Sequence, residues 1–411
     1  MNSSKQVYIV GAGISGLIAA LELEQAGFEP IILEKSDGVG GRVRTVEVDG
    51  YHLDIGFQVL LSAYPLVNKY LDLNALGLQK LASGAQILVN SRRYRIGDPT
   101  RDLGALLPTV FANIGSVADK FRILRLNQRL KRRTIEEIFD SPEFTTLEYL
   151  EGLGFSNKII DRFFRPFFAG IFLEPSLRTS SRMFEFVYKM FGEGYATIPA
   201  NGIGALSEQL KSKLTRTEIR LQTPVNRVTN EDIYLDSGEV LPHSGVIITG
   251  DASALVHNMN DQQVRWKSCL NLYFEVDKTS IPARTIALIA DAGKRANNLY
   301  AFTDAQGREI VSVTCLEYDG LPSDQIQKEV EQELRQYCGV SQLKHITTFD
   351  IPQALPDLQN LKTTSSPSES QLTDQIFLAG DVLFNGSLNA AMESGRLAAE
   401  GFKEKSQGIF A

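Results

Sequence analysis

The sequence predicts an α/β protein: a Rossmann-like domain with an α+β domain, a mixed sheet plus helices, inserted into it. Three observations predict it. A strand–glycine turn–helix–strand unit opens the chain between Val7 and Glu34. A strand–Gly–Asp–helix unit closes it between Gln375 and Phe402. The stretches between them run from helical spacing to two-residue alternation. Residues 1–61, 196–255 and 347–411 are expected to build the first domain, and 62–195 and 256–346 the second.

The opening unit begins with "QVYIV", a β-branched apolar run of the kind buried in a parallel sheet. "ISGLIAALELEQAG" follows with Ile14, Leu17, Ile18 and Leu21 at helical spacing, and Gly27 stops it. "PIILEK" is the second strand. In that setting Gly11 makes a tight turn, Gly13 lets backbone approach a pyrophosphate, and Gly16 lets helix and strand pack closely. Ala12, Ile14 and Ser15 complete the phosphate-facing loop, where a helix start favours negative charge. Glu34, with Lys35 beside it, ends the second strand where an acid accepts ribose hydroxyls. The unit is a dinucleotide-binding fingerprint.

A second glycine cluster, Gly40-Gly41-Arg42, follows the acid. Here the sequence resembles the flavin-containing amine oxidase superfamily, which includes amine oxidases, protoporphyrinogen oxidases and plant-type phytoene and carotene desaturases. The resemblance implies a Rossmann-like FAD-binding domain with an inserted substrate domain. It implies that Gly40 and Gly41 lie on FAD and that Arg42 neutralises its pyrophosphate. "YHLDIGFQ" resembles the family's next element, so Gly56, Phe57 and Gln58 are expected toward the flavin ring.

The closing unit "QIFLAGDVLFNGSLNAAMESGRLAAEGF" resembles the family's C-terminal signature. The resemblance implies that Gly380 and Asp381 meet the ribityl or phosphate region. It also implies that Ser387, Leu388 and Asn389 point a helix N-terminus at the flavin O2 edge, where that dipole stabilises negative charge. "LQTPVNRV" resembles the strand whose valine, here Val225, meets the adenine. No cysteine stands in the C-terminal signature, so FAD is expected without covalent attachment. "ANGIGALSEQL" is also glycine-rich, but no strong strand precedes it and no ribose acid follows at the proper distance.

Residues 62–195 read as mostly helical, with a hairpin at Ala85–Ile96 turning near Ser91 and Arg92. The run Arg129, Lys131, Arg132, Arg133 reads as a solvated helix face partnered by Glu136 and Glu137. Peripheral contact with anionic lipid is its second reading. "DRFFRPFFAGIFLEP" resembles a segment lining the substrate chamber, which makes Phe167 and Phe168 substrate candidates. Tyr273 and Phe384 join them. "CLNLYFEV", "TIALIAD" and "EIVSVTCL" alternate and predict an antiparallel sheet with one wet face.

Bulk properties narrow the field. A net charge of −7 over 411 residues argues against nucleic acid as a partner. Three scattered cysteines suggest reduced thiols, and four dispersed histidines no metal site. No apolar run reaches the ~18–20 residues of a membrane span. The chain reads as mature and cytoplasmic, with membrane association left to the basic run.

The resemblance implies an FAD-dependent oxidoreductase: a dehydrogenase, desaturase or oxidase. Hydride would pass from a C–H bond of a small lipophilic substrate to flavin N5, and electrons onward to oxygen or a quinone. An amine oxidase is the alternative. In such enzymes one cage aromatic falls where this chain has Ser387, and a lysine near N5 falls at Lys267 or Ser268. A non-oxidative flavoprotein, with an isomerase or binding role, is the third reading. No catalytic base and no oligomeric state is read from the sequence.

Overall fold

The computed structural model describes residues 6–90, 92–96, 114–259, 263–316, 318 and 321–408. The two chain ends meet in one five-stranded parallel sheet. Its order is Glu218–Arg220, Ile31–Leu33, Val7–Val10, Gly245–Thr249 and Ile376–Ala379. Val7–Val10 lies at the centre, pairing with Ile31–Leu33 on one side and Gly245–Thr249 on the other. Both faces of the sheet are covered, which is why its strands are continuous apolar runs rather than alternating ones. Val7, Ile9, Ile32, Ile247 and Phe377 pack toward the helices. Tyr8, Val10, Ile31, Leu33, Val246 and Ile248 pack toward a three-stranded layer carrying Val228, Ile233 and Leu241.

The helical layer is the first helix, Ile14–Gln25, laid against the closing helix, Leu388–Ser406. Glycine sets their separation. A Cβ on Gly395 would stand 2.3 Å from the carbonyl oxygen of Ser15; Gly16 plays the same part between the first helix and the turn before it, where a Cβ would stand 2.0 Å from the Gly11 carbonyl oxygen. The hydroxyls of Ser15 and Ser394 meet at 3.4 Å across the contact.

The second sheet has seven strands. From one edge these are Leu343–Pro356, Trp266–Val276, Glu309–Cys315, Ala296–Thr303, Ile286–Ile289, Ala85–Val89 and Arg92–Ile96. It is antiparallel except where Ile286–Ile289 runs parallel to Ala85–Val89. The expected hairpin supplies its far edge; Ser91 lies outside the described residues. The expected boundary at 347 falls inside the strand Leu343–Pro356, which pairs with Trp266–Val276 along its length.

The expected wet face is corrected. Helix Ser323–Cys338 covers one face over Leu272, Phe274 and Val313. On the other, the polar residues are buried too. Asn271 donates to Ser312 Oγ and accepts from Thr314 Oγ1, both at 3.0 Å, and Asn298 donates to Thr314 Oγ1 at 3.0 Å. Alternation of polar residues reads as exposure; here they satisfy one another instead.

The helical region is as expected over the described residues, but its basic run is not simply a solvated face. Arg129 and Arg133 reach inward to the Glu185 carboxylate at 2.8 and 2.7 Å, and Arg133 also donates to the Glu137 carbonyl. Lys131 and Arg132 are exposed. Among the described residues no helix is long and apolar enough to cross a membrane.

Candidate cofactor site

The site lies where the two glycine loops of the N-terminal region meet the C-terminal turn. Strand Val7–Val10 ends in Gly11, whose φ of 101° turns the chain sharply into the helix. Gly13 caps that helix in an extended conformation, with no side-chain cap. Its first N–H groups therefore lack the usual side-chain acceptor, and a Cβ on Gly13 would meet nothing within 4 Å. Gly13 is bridged to Gly40, and Gly40 N–H donates to the Ala12 carbonyl at 2.8 Å. Two backbone runs thus lie side by side where the sequence expects a pyrophosphate. Ile14 and Ser15 are buried at the helix start, their side chains on its packed side.

Glu34 is buried and holds this loop in shape. Its Oε2 accepts from Ala12 N–H at 2.7 Å, and its Oε1 from Ser36 N–H and Oγ, each at 2.8 Å. A carboxylate oxygen takes about two donors, so Oε2 retains a position for a ribose hydroxyl. Lys35 is exposed beside it. Thr223 N–H donates to the Glu34 carbonyl at 2.8 Å, which brings the strand beginning at Val225 close to the acid.

Arg42 and Asp381, each expected on the cofactor, here face one another in a two-pronged ion pair of 2.5 and 3.0 Å. Arg42 also donates to the Ala354 carbonyl at 3.3 Å and lies 5.2 Å from the centre of the Trp266 ring. Gly380 N–H donates to Ser394 Oγ at 2.8 Å, anchoring the strand end on the closing helix. Ser387 caps that helix through Ala390 N–H at 3.1 Å. Leu388 is half-buried in its first turn. Asn389 points elsewhere: its Oδ1 accepts from Leu66 N–H at 3.1 Å.

The segment expected toward the flavin bridges the domains. Gln58 donates to the carbonyls of Arg42 and Ile55, and Phe57 meets Tyr300 of the seven-stranded sheet at 5.3 Å. Gly56, at φ 86°, passes Ile351 so closely that a Cβ would stand 2.8 Å from its Cδ1. Asp54, just before, accepts from Thr45 Oγ1 at 2.6 Å and Ile203 N–H at 2.9 Å; burial pushes its carboxyl up. Thr45 also takes Gly204 N–H, so the glycine-rich turn in "ANGIGALSEQL" is fastened to the fold by its own amides.

The substrate candidates divide. Phe167 is half-buried, packed with Phe163 and Phe191 and against the Ile87–Tyr300 cluster of the sheet. Phe168 is corrected: it is 0 % exposed, locked among Phe164, Phe172 and Phe184 in the helical core. Helical periodicity puts the two on different faces. Phe384 is corrected as well; it is enclosed with Ala390 and Leu397 beside the closing helix. Tyr273 is buried at the domain seam, its hydroxyl donating to the Asp54 carbonyl at 3.0 Å, so it fastens the seam rather than lining a chamber. Lys267 donates to Thr179 Oγ1 at 3.1 Å and pairs with Asp357 at 3.5 Å, while Ser268 is half-buried beside it on the same strand. Tyr300, Phe163 and Trp266 were missed by the sequence reading. The alternating "NNLYAFT" could have supplied Tyr300; nothing local singles out Trp266.

The residues present fit FAD. An open glycine edge, an uncapped helix start and a buried acid with spare acceptor capacity face one region. A guanidinium and a buried indole N–H without a partner among the described residues lie beyond them. Gly11, Gly13, Glu34, Gly40, Gly41, Arg42 and Asp381 would hold the dinucleotide.

These features define a dinucleotide-binding flavoprotein fold. Residues 14–401 match the family model for flavin containing amine oxidoreductase, and the chain belongs to that family of FAD-dependent enzymes. It is 32% identical over 159 residues to L-amino acid oxidase Bs29 of Bothriechis schlegelii. That match spans 36% of this chain and 32% of the relative, about a third of each. The fold is similar to a protein of Exiguobacterium sp. 255-15 provisionally described as a protoporphyrinogen oxidase, with a TM-score of 0.69 and 19% identity, covering 98% of this chain and 99% of that one. It is also similar to the CLA-producing fatty acid isomerase of P. acnes, with a TM-score of 0.71 and 16% identity over the whole of both chains.

Proposed function

We propose that this FAD-dependent oxidoreductase oxidises a C–H bond of a small lipophilic molecule. One observation carries the reading. Phe57, Phe163, Phe167 and Phe302, all partly buried, converge with Ile198 on the Ile87, Ile286, Leu288 and Tyr300 face of the seven-stranded sheet. Phe57 comes from the cofactor domain, so this apolar wall begins where the flavin-directed segment ends. Burial of an apolar substrate against it is favourable by about 25 cal/mol per Å².

Bound flavin would supply the hydride-accepting ring. The chain's part is to hold it between the two glycine loops, keep water from the aromatic wall, and orient the reacting carbon. Oxygen or a quinone is the proposed electron acceptor. An amine substrate is less well served. The C-terminal cage position is Ser387, an N-cap, and the neighbouring Phe384 is buried beside the closing helix. The ammonium of Lys267 is engaged by Thr179 and Asp357.

The test is an anaerobic screen in which loss of the flavin's visible absorption is followed with amines, porphyrinogens and polyenes. Bleaching by a porphyrinogen or polyene supports the proposal. Bleaching by amines alone would make it an amine oxidase. Conversion of a polyene without net bleaching, and only after prior reduction, would make it an isomerase.

A further inference from the structure

We infer that the indole N–H of Trp266 is a hydrogen-bond donor to the ribityl chain of bound FAD. The inference rests on the cofactor reading and adds to it a residue from the opposite domain. Trp266 opens the long strand Trp266–Val276 and pairs with Pro356. Pro356 and Leu355 lie against Gly386, where a Cβ would stand 3.2–3.3 Å from them, so this sheet corner touches the turn leading into the closing helix. Arg42, from the second glycine loop, lies over the Trp266 ring at 5.2 Å while gripping Asp381 at 2.5 Å. Front loop, rear turn and second sheet therefore meet around one indole.

Its nitrogen is enclosed, yet it has no hydrogen-bond partner among the described residues. Native folds leave few buried donors unmatched, because each one forfeits its bonds to water. The guanidinium covers a face of the ring, and the N–H projects from the ring edge, so the two do not compete. The guanidinium is already paired with Asp381, so the free donor beside the pair suits a neutral hydroxyl oxygen rather than a phosphate. The ribityl hydroxyls, among the expected neighbours of Asp381 on FAD, are such oxygens and are absent from ADP. The adenosine half would instead lie along Gly11–Gly16, Glu34 and Val225, on the far side of the glycine loops.

That separation supplies the test. FAD-free protein and its Trp266→Phe variant are titrated with FAD and with ADP. Phenylalanine keeps an aromatic ring under Arg42 and removes the donor together with the indole's second ring; ADP binding controls for the lost packing. The expected result is FAD affinity about tenfold weaker in the variant and ADP affinity within about twofold. Equal weakening of FAD and ADP, or unchanged FAD affinity, would overturn the inference while leaving the cofactor reading intact. Wild-type protein that acquires no absorbance near 450 nm would overturn both. The wild-type chain offers a second measurement that does not depend on the variant folding. Trp266 is its only tryptophan, so 15N-tryptophan labelling gives one indole N–H resonance. Its proton is expected to move downfield with FAD and to stay in place with ADP; no movement with FAD would also count against the bond.

Discussion

Glu34 shows how one side chain can serve fold and ligand together. Its carboxylate ties Ala12 and Ser36 into the glycine loops and keeps one acceptor position over. Glu34→Ala should weaken FAD binding by about 1.5–3 kcal/mol, the range for hydrogen bonds to a charged group. Titration of FAD-free protein followed by absorbance checks this; unchanged affinity would place the ribose elsewhere. Glu24 is the contrasting case, a buried acid remote from the site. Burial raises its pKa, but hydrogen bonds from Thr217, Thr215 and Arg216 prevail and hold it at about 2 against a usual 4.5. Because the folded value is depressed, its contribution is present above pH 4.5 and is lost as pH falls toward about 2. Glu24→Gln should lower the melting temperature at pH 7. The variant and wild-type curves should converge as pH falls through that window, and parallel curves would contradict this. The thiols of Cys269 and Cys338 are both pushed up to about 12 by burial, and that of Cys315 is also raised. Thiol reagents should therefore label the native protein slowly and the unfolded chain fully.

The packing of the first and closing helices is the contact on which the cofactor domain turns. It joins parts of the chain nearly four hundred residues apart in sequence, through Ser15, Gly395 and Ser394. Gly395→Val should force the helices apart, costing about 1–3 kcal/mol and displacing both the N-terminus behind Gly13 and the Gly380 anchor. Thermal melting with and without FAD reads both effects; a variant with wild-type values would mean the contact adapts freely. The buried ladder of Asn271, Ser312, Thr314 and Asn298 makes a second prediction at this scale. Asn271→Leu removes a donor and an acceptor that Ser312 and Thr314 use, so their hydroxyls lose partners. The loss should exceed the gain from apolar burial, by about 1–3 kcal/mol in denaturant unfolding. A neutral outcome would show that water or a new rotamer replaces the amide.

Across the whole molecule, stability and cofactor are linked, because the dinucleotide residues come from both ends of the chain. FAD at a thousandfold excess over its Kd should stabilise the fold by about 4 kcal/mol if it binds only the folded form. Much of the fold was legible in sequence. Val7–Val10 and Ile376–Ala379 announced themselves as buried parallel strands by their unbroken apolar runs. Gly11, Gly13 and Gly16 could be assigned because few other residues satisfy those turns and approaches. What was not legible depended on partners distant in sequence. Phe167 and Phe168 are adjacent and chemically identical, and only the packing of their helix makes one a wall residue and the other core. The basic run reads as a face partnered by nearby Glu136 and Glu137, yet the carboxylate that Arg129 and Arg133 share is Glu185 from a later helix. Asn271 looked wet because its partners lie on other strands.

The sequence by itself determined that the chain folds around a dinucleotide, because glycine spacing, a terminal acid and apolar periodicity are local constraints that a short peptide already carries. The tertiary structure alone decided which aromatics border the apolar wall and which side chain from the second sheet reaches the Arg42–Asp381 pair. Those assignments depend on register and helix rotation, which are fixed only when distant segments compete for the same buried space.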